Sequence, residues 1–526
     1  MNQIEDSQEE MKIWQKVGFF TGPILFLLML FFPPSFVVEK GIKGAMTYDA
    51  WKVAACGLWM AIWWVTEAAP IPITSLLPIP LFYLLNVSNT APKTANETLR
   101  EIGKPELSKY FSEQILAPYA DPVIYLFLGG FILAIGMEKW NLHRRVALSI
   151  IKVVGTKPSQ ILLGFLIATA FISMWASNAS TTIMMLPIAI TVLDLLKSKV
   201  AEADQKNIEN FGVALMLSIA YGASIGGLGT LIGTPPNAVM KAFFDKSGLE
   251  SINFANWMVF GVTLIIISIP VTFILLTKII FPVKLGAIDG AEEIIEVEIK
   301  RLGKFTLAEG LTAFVIVSTA LAWILRGTYE SNLYVKNNLK DGIIAMTGGI
   351  LLFLIPVNWK KKIFLLEWSD MKAIPWDVLL LFGGGLSLAG AVDRSGLSDW
   401  MGIQTKIILE GQTNIILVVF VVTAIVLFLT EFTSNTATIT LFLPIGLGIA
   451  KALEVDPRLI LIPATVASSC AFMLPVGTPP NAIVFSSGYV KIPQMAKAGF
   501  WMNVFFVFLI TFLIFTLGVR VFSIQY

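Results

Sequence analysis

From Val17 to near Ser523 the chain returns repeatedly to apolar stretches of about 20 residues, the length a helix needs to cross the hydrocarbon of a bilayer. Such stretches fall at 17–36, 50–67, 70–87, 121–138, 211–243, 256–283, 307–326, 341–357, 376–393, 458–486 and 498–523. In lipid each backbone N–H and C=O must find its partner within the chain, so these runs predict an all-α polytopic membrane protein of about eleven spans. The composition agrees. Of 526 residues 56% are hydrophobic and only 14% charged, too few charges to cover a soluble protein of this size. A formal net charge of +2 offers nothing to a nucleic acid. Cys56 and Cys470 both lie in apolar segments and predict no disulfide framework. The acidic, polar tail 1–16 precedes the first run, which is therefore expected to stay as a span rather than be cleaved.

Two further apolar stretches, 158–198 and 411–452, carry a polar break at Asn178 and at Asn435. A continuous span cannot expose such a break to lipid, so each stretch is expected to be a re-entrant helical hairpin. The breaks belong to a repeat. Ser177-Asn178 through Thr181 and Leu186-Pro187 returns 257 residues later as Ser434-Asn435 through Thr438 and Leu443-Pro444. Gly233-Thr234-Pro235-Pro236-Asn237 returns after 244 residues as Gly477-Thr478-Pro479-Pro480-Asn481, and Gly129-Gly130 with Gly136 returns after 254 as Gly383-Gly384 with Gly390. Five spans separate the hairpins. An odd number predicts that the second copy is inverted relative to the first, an arrangement that places a substrate site at mid-membrane between discontinuous helices.

The motifs are helix starts. Ser, Asn and Thr oxygens cap free N–H groups, and proline fits a first helical turn, where its missing donor is not needed. Four starts in one place, each carrying roughly half a positive charge, suit a divalent anion without any Lys or Arg in the motifs. The same loops carry neutral oxygens at Ser173, Ser177, Asn178, Thr430, Thr433 and Asn435, with carbonyls at Gly233 and Gly477, a set that suits Na⁺ better than Ca²⁺ or Mg²⁺. A single hydroxyl in a membrane helix ordinarily bonds its own backbone, and a single proline pair is ordinarily a kink. Recurrence in register is what lifts these residues above that reading. Glu67 and Glu431 are intramembrane carboxylates and stand as functional candidates beside an equally ordinary capping role. His143, in a basic cluster, reads as a solvated interfacial residue, and the glycine runs as close-packing positions.

Taken together, Trp63-Trp64-Val65-Thr66-Glu67, Pro375-Trp376-Asp377 leading into Gly383-Gly384-Gly385, Ser434-Asn435-Thr436 and both Gly-Thr-Pro-Pro-Asn loops resemble the divalent anion/Na⁺ symporter family, the INDY-like sodium–dicarboxylate cotransporters. The resemblance runs over nearly the whole chain. It implies a homodimer with a static scaffold and a transport domain that moves like an elevator. It implies one sodium site at Ser173, Ser177, Asn178 and Gly233 and a second at Thr430, Thr433, Asn435 and Gly477. Substrate would then lie among Asn178, Thr234, Pro235, Ser434, Asn435, Thr436, Thr478 and Pro479. One position departs from the family pattern: the first hairpin tip has Ala179 where Thr is usual, which removes a hydroxyl from one side of the anion.

The expected organisation is a cytoplasmic tail at 1–16, scaffold helices at 17–155 and 286–395, and a transport domain at 156–285 and 396–526. Each transport part holds a hairpin (158–198, 411–452) and a broken helix (211–243, 458–486). His143-Arg144-Arg145, Lys197 with Lys199, Lys300-Arg301 and Lys360-Lys361-Lys362 place the amino terminus of this multi-pass cell-membrane protein in the cytoplasm and the carboxy terminus outside. Lys93, Arg100, Lys104 and Lys109 would then lie outside, against the rule. The expected function is Na⁺-coupled symport of a di- or tricarboxylate of the succinate, malate, fumarate or citrate class. A sodium-independent carboxylate exchanger and a sodium/sulfate symporter are the alternatives. With one histidine, no Cys-x-x-Cys and no Gly-x-x-x-x-Gly-Lys loop, an enzyme or an ATP-driven pump is not expected.

Overall fold

The structure, a computed structural model, describes residues 11–38, 46–87, 111–155, 157–199, 205–285, 291–328, 340–408 and 414–525. Lys93, Arg100, Lys104, Lys109 and the first ten residues of the tail lie outside them. In chain order the helices are α1 (Ile13–Phe31), α2 (Tyr48–Thr66), α3 (Ile71–Leu76), α4 (Pro78–Leu84), α5 (Pro122–Lys139), α6 (Leu142–Val154), α7 (Pro158–Ser173), α8 (Asn178–Lys199), α9 (Gln205–Gly227), α10 (Pro235–Lys246) and α11 (Phe254–Ile274). There follow α12 (Ala291–Arg301), α13 (Leu307–Thr328), α14 (Asp341–Leu354), a hairpin of β1 (Pro356–Asn358) and β2 (Ile363–Phe364), α15 (Trp376–Arg394), α16 (Leu397–Ile408), α17 (Ile415–Thr430), α18 (Asn435–Leu453), α19 (Arg458–Ser468), α20 (Pro479–Ser486) and α21 (Ile492–Leu513). Among the described residues, eight helical segments are long and apolar enough to cross a membrane.

The stretch 70–87 is not one helix. Pro72, Pro78 and Pro80 remove backbone donors, and the run divides into α3 and α4. The polar insertion 284–306 holds a helix, α12, whose Glu296 and Glu298 pair with Lys152 at 3.2 Å and Arg144 at 3.1 Å on α6. The expectation for His143 is corrected. It is 8% exposed, and its Nδ1 lies 3.0 Å from the Met137 carbonyl oxygen. Position 143 faces inward while Arg144 and Arg145 turn to Glu298 and Glu309, because consecutive helical residues point in different directions.

The helices form two compact units. The first contains 1–120, 377–410 and 443–454. Here α1 lies on α2, Phe19 stacks on Trp63 at 5.6 Å, and a Cβ at Gly18 would come within 2.1 Å of the Thr66 hydroxyl. Gly384 meets the Ser75 backbone, where a Cβ would sit 2.2 Å from the carbonyl oxygen, and that oxygen also accepts from the Tyr119 hydroxyl at 2.6 Å. The second unit contains 121–376, 411–442 and 455–526. Gly129 there lets α5 approach α14, with Ala345 backbone 2.5 Å from where its Cβ would be. The glycine runs are close-packing positions in both units.

Inside the second unit the broken helices pair reciprocally. α9 packs on α20, and α10 packs on α19, so each half-helix of one copy meets the opposite half of the other. α9 also lies along α7, at a separation set by Gly226, whose Cβ would stand 2.1 Å from the Ala170 carbonyl oxygen. Every residue expected at the sodium and substrate sites belongs to this unit.

Candidate ion and anion site

Both apolar stretches with a central Asn break where expected. α7 ends at Ser173 and α8 begins at Asn178; α17 ends at Thr430 and α18 begins at Asn435. Across each break the last hydroxyl of the first helix reaches the first side chain of the next: Ser173 Oγ donates to Asn178 Oδ1 at 2.7 Å, and Thr430 Oγ1 lies 2.9 Å from the Asn435 amide. Past the tips the backbone closes in the same way, Thr181 N to Ser177 O at 3.0 Å and Thr438 N to Ser434 O at 2.9 Å. Ser177 is a true cap, its Oγ accepting from Ser180 N at 3.1 Å.

The broken helices repeat with the same fidelity. Thr234 and Thr478 hold matching extended backbones, with φ of −142° and −143°, just before α10 and α20. Thr478 Oγ1 accepts from Asn481 N at 3.4 Å, whereas Thr234 makes no side-chain cap and only its carbonyl receives Asn237 N, at 3.2 Å. Asn237 Nδ2 ties the unwound segment together by donating to Gly227 O at 3.3 Å and Thr230 O at 2.8 Å. Asn481 Nδ2 does the same to Ala471 O at 3.1 Å and Leu474 O at 3.0 Å, the equivalent carbonyls 244 positions on. Each of these asparagines keeps its Oδ1 buried with no donor facing it. Pro235 and Pro479 occupy first helical positions, where no donor is lost.

The Asn435 tip shows what such a pocket can hold. The end of its amide that meets Thr430 Oγ1 also lies 3.1 Å from Ser468 O and 3.2 Å from Gly477 O. Thr430 has one hydroxyl proton and gives it to Ser468 O at 2.8 Å. With the amide nitrogen at that position, its two protons are shared among the three oxygens. With the amide oxygen there, the single Thr430 proton serves either Asn435 Oδ1 or Ser468 O, and the oxygens left facing one another form a set that a small cation would suit. Ser468 was absent from the set expected from sequence; its carbonyl is freed because α19 stops there. Thr433, by contrast, bonds to Leu429 O at 3.0 Å and to Thr438 Oγ1 at 2.5 Å. Thr436 O accepts from Thr440 at 2.7 Å.

Glu431 has a definite structural partner set. Its carboxylate accepts from Phe472 N at 2.8 Å, Met473 N at 3.0 Å, Leu474 N at 3.1 Å and Asn503 Nδ2 at 2.7 Å. It thereby satisfies three successive donors of the unwound segment that leads to Gly477, and a Cβ on Gly477 would lie 3.2 Å from Glu431 Oε2. In the first copy the corresponding position is Met174, whose carbonyl receives the Thr230 hydroxyl at 2.6 Å. At this position the second copy has a carboxylate where the first has a thioether. Tyr221, on α9, joins them by donating to Phe472 O at 3.0 Å. Glu67 lies elsewhere, an exposed C-cap of α2 with φ 49° in the first unit.

Apolar spanning helices, paired interrupted helices and pockets of neutral oxygen define a membrane transporter of the broken-helix class. Comparison with known proteins makes this specific. The family described as sodium:sulfate symporter transmembrane region matches residues 22–524, and the chain belongs to that family. It is 41% identical over 508 residues to the sodium-dependent dicarboxylate transporter SdcS of Staphylococcus saprophyticus, covering 96% of this chain and 92% of that one. It is also 41% identical over 492 residues to SdcS of Staphylococcus aureus, covering 93% and 88%. Among solved structures it resembles MtrF of Neisseria gonorrhoeae, one of a class of antimetabolite efflux pumps, with a TM-score of 0.59 at 11% identity over 87% of this chain and 98% of that one. The YdaH transporter of Alcanivorax borkumensis gives 0.53 at 12% identity over 84% and 96%. At such identities these two likenesses concern the fold alone.

Proposed function

We infer that this chain is a secondary active transporter that carries a di- or tricarboxylate across the membrane together with Na⁺. The observation that carries the reading is the convergence of Thr430 Oγ1, Ser468 O and Gly477 O on the Asn435 amide, with Ser173 on Asn178 as its counterpart. The relatives' names, sodium-dependent dicarboxylate transporters, support the same substrate class. In this reading Na⁺ is a co-transported substrate. One ion sits among Ser173, Ser177, Asn178 and Gly233, the other among Thr430, Thr433, Asn435 and Gly477. The anion lies between the tips, on Asn178, Thr234, Pro235, Ser434, Asn435, Thr436, Thr478 and Pro479, facing helix starts rather than lysine or arginine. Na⁺ couples the two flows because it fixes the Asn side chains and lends positive charge where the anion must bind.

The finer architecture we propose has about eleven spans and two re-entrant hairpins, arranged as two inverted copies. The scaffold helices of 17–155 and 286–395 stay fixed in a homodimer, and the transport parts, 156–285 and 396–526, move as an elevator. The amino terminus is cytoplasmic and the carboxy terminus outside. The chain performs no bond chemistry. Sulfate symport is the second reading, favoured by Ala179, which leaves less hydrogen bonding for a carboxylate on the first side. The test is uptake into proteoliposomes of a labelled panel (succinate, malate, fumarate, citrate and sulfate) with and without an inward Na⁺ gradient. Gradient-driven accumulation of a carboxylate is expected. Uptake indifferent to the gradient would leave an exchanger, and accumulation of sulfate alone would replace the substrate.

A further inference from the structure

The end of α14 presents a surface that the transport site does not use. Ile343, Ile350, Leu351 and Leu354 leave apolar side chains exposed along the helix. After Pro356 the chain enters the β1–β2 hairpin, whose tip is Trp359-Lys360-Lys361-Lys362. The exposed surface thus changes from aliphatic to aromatic to cationic. A bilayer presents the matching order, from hydrocarbon through the interface to the headgroup phosphates. Trp359 is 76% exposed, and Trp368, in the turn that follows, is 78% exposed, whereas tryptophan in a protein surface facing only water is ordinarily covered.

The hairpin is held firmly. Leu365 N donates to Ile355 O at 3.1 Å, Leu366 N donates to Leu352 O at 2.9 Å, and both leucines are buried. Trp140 Nε1 donates to Leu365 O at 2.8 Å, and Lys139 pairs with Asp370 at 2.7 Å. The turn closes through Lys361 N to Asn358 Oδ1 at 3.1 Å and Lys362 N to Trp359 O at 3.3 Å, with Lys362 in the left-handed region at φ 52°. All three lysines are exposed, and among the described residues none has a carboxylate partner. A rigid turn that gathers three ammonium groups beside an exposed indole, with no ion pair to a carboxylate among the described residues, is built for an external anion.

We propose that the β1–β2 hairpin and the Trp368 turn form a headgroup-binding foot that selects acidic phospholipid from the surrounding bilayer. Trp359 and Trp368 lie at the interfacial level, and Lys360, Lys361 and Lys362 hold the lipid phosphate. The site rests on charge and on continuity with α14, so it stands or falls separately from the identity of the transported anion.

The test uses the full chain in phosphatidylcholine nanodiscs doped with either photoactivatable phosphatidylglycerol or photoactivatable phosphatidylcholine, with cross-linked peptides mapped by mass spectrometry. Peptides covering 356–372 should take up the acidic lipid several-fold more than the neutral one. The triple variant Lys360→Gln, Lys361→Gln, Lys362→Gln should erase that preference while its melting temperature and its labelling elsewhere stay unchanged. Equal labelling by both lipids, or labelling by neither, overturns the proposal. A preference abolished by millimolar inorganic phosphate overturns it too, because the turn would then be a seat for a free anion.

Discussion

The Asn435 amide faces three oxygens and the Asn178 amide one hydroxyl, so the two residues that look interchangeable in sequence have different surroundings. Losing a hydrogen bond to a charged partner costs about 1.5–3 kcal/mol, roughly 10- to 150-fold in affinity. Asn435→Ala should therefore abolish Na⁺-driven uptake, and Asn178→Ala should do so as well, because each serves a cation and the anion together; uptake at matched expression checks both. Normal rates in either variant would move the site elsewhere. Ala179→Thr restores one hydroxyl at the first tip. It should shift relative uptake across a carboxylate panel by about two- to tenfold, the worth of one hydrogen bond of about 0.5–1.5 kcal/mol, with thermal stability unchanged. An unaltered panel would show that position 179 does not face the anion. The tips themselves were legible in the sequence, since Ser-Asn inside an apolar run recurs 257 positions on, in register with the other repeated motifs. Ser468 was not, because a carbonyl contributes through where a helix stops and leaves no mark in residue type.

At the scale of elements, the unwound segment 471–477 depends on Glu431. Its three backbone donors have no helical partner, and the carboxylate supplies one for each. Glu431→Gln retains one acceptor oxygen but turns an amide donor toward those N–H groups. We expect its half-saturating Na⁺ concentration to rise about fivefold or more, because Gly477 O hangs on the same segment; the figure corresponds to about 1 kcal/mol for a partly broken network. Glu431→Ala leaves the donors bare and should lower the melting temperature as well. A Gln variant with wild-type Na⁺ dependence would sever the segment from the ion pocket. Sequence singled out Glu431 but not its role, because its partners are 41 to 72 positions away and no local spacing joins them. Short elements were equally hidden. Strands of three and two residues are too brief for alternation to show, and α12 reads as a charged loop until Arg144 and Lys152 are placed opposite its glutamates.

For the whole molecule, the apolar runs gave the helical class and the duplicated motifs gave the pairing of the copies, since both follow from periodicity and from recurrence. Burial of single polar residues did not follow. His143 sits in a basic stretch yet is enclosed, and burial, with Arg144 adding to it, holds its imidazole below the ordinary 6.5. Below that ordinary value the unfolded chain takes up a proton that the folded one resists, so stability is full above about 6.5 and falls as pH drops toward the lowered folded value. The melting temperature should decline between pH 7 and pH 5.5, and His143→Gln should flatten that decline; an unchanged slope would show that the imidazole does not govern it.

The backbone of Phe472 is held at both of its polar groups, its N–H by a carboxylate of the second copy and its C=O by a phenol of the first. Damage to Tyr221 should loosen the seat beside Gly477, and combined substitutions at Tyr221 and Glu431 should fail to sum, because both act on the backbone of one residue.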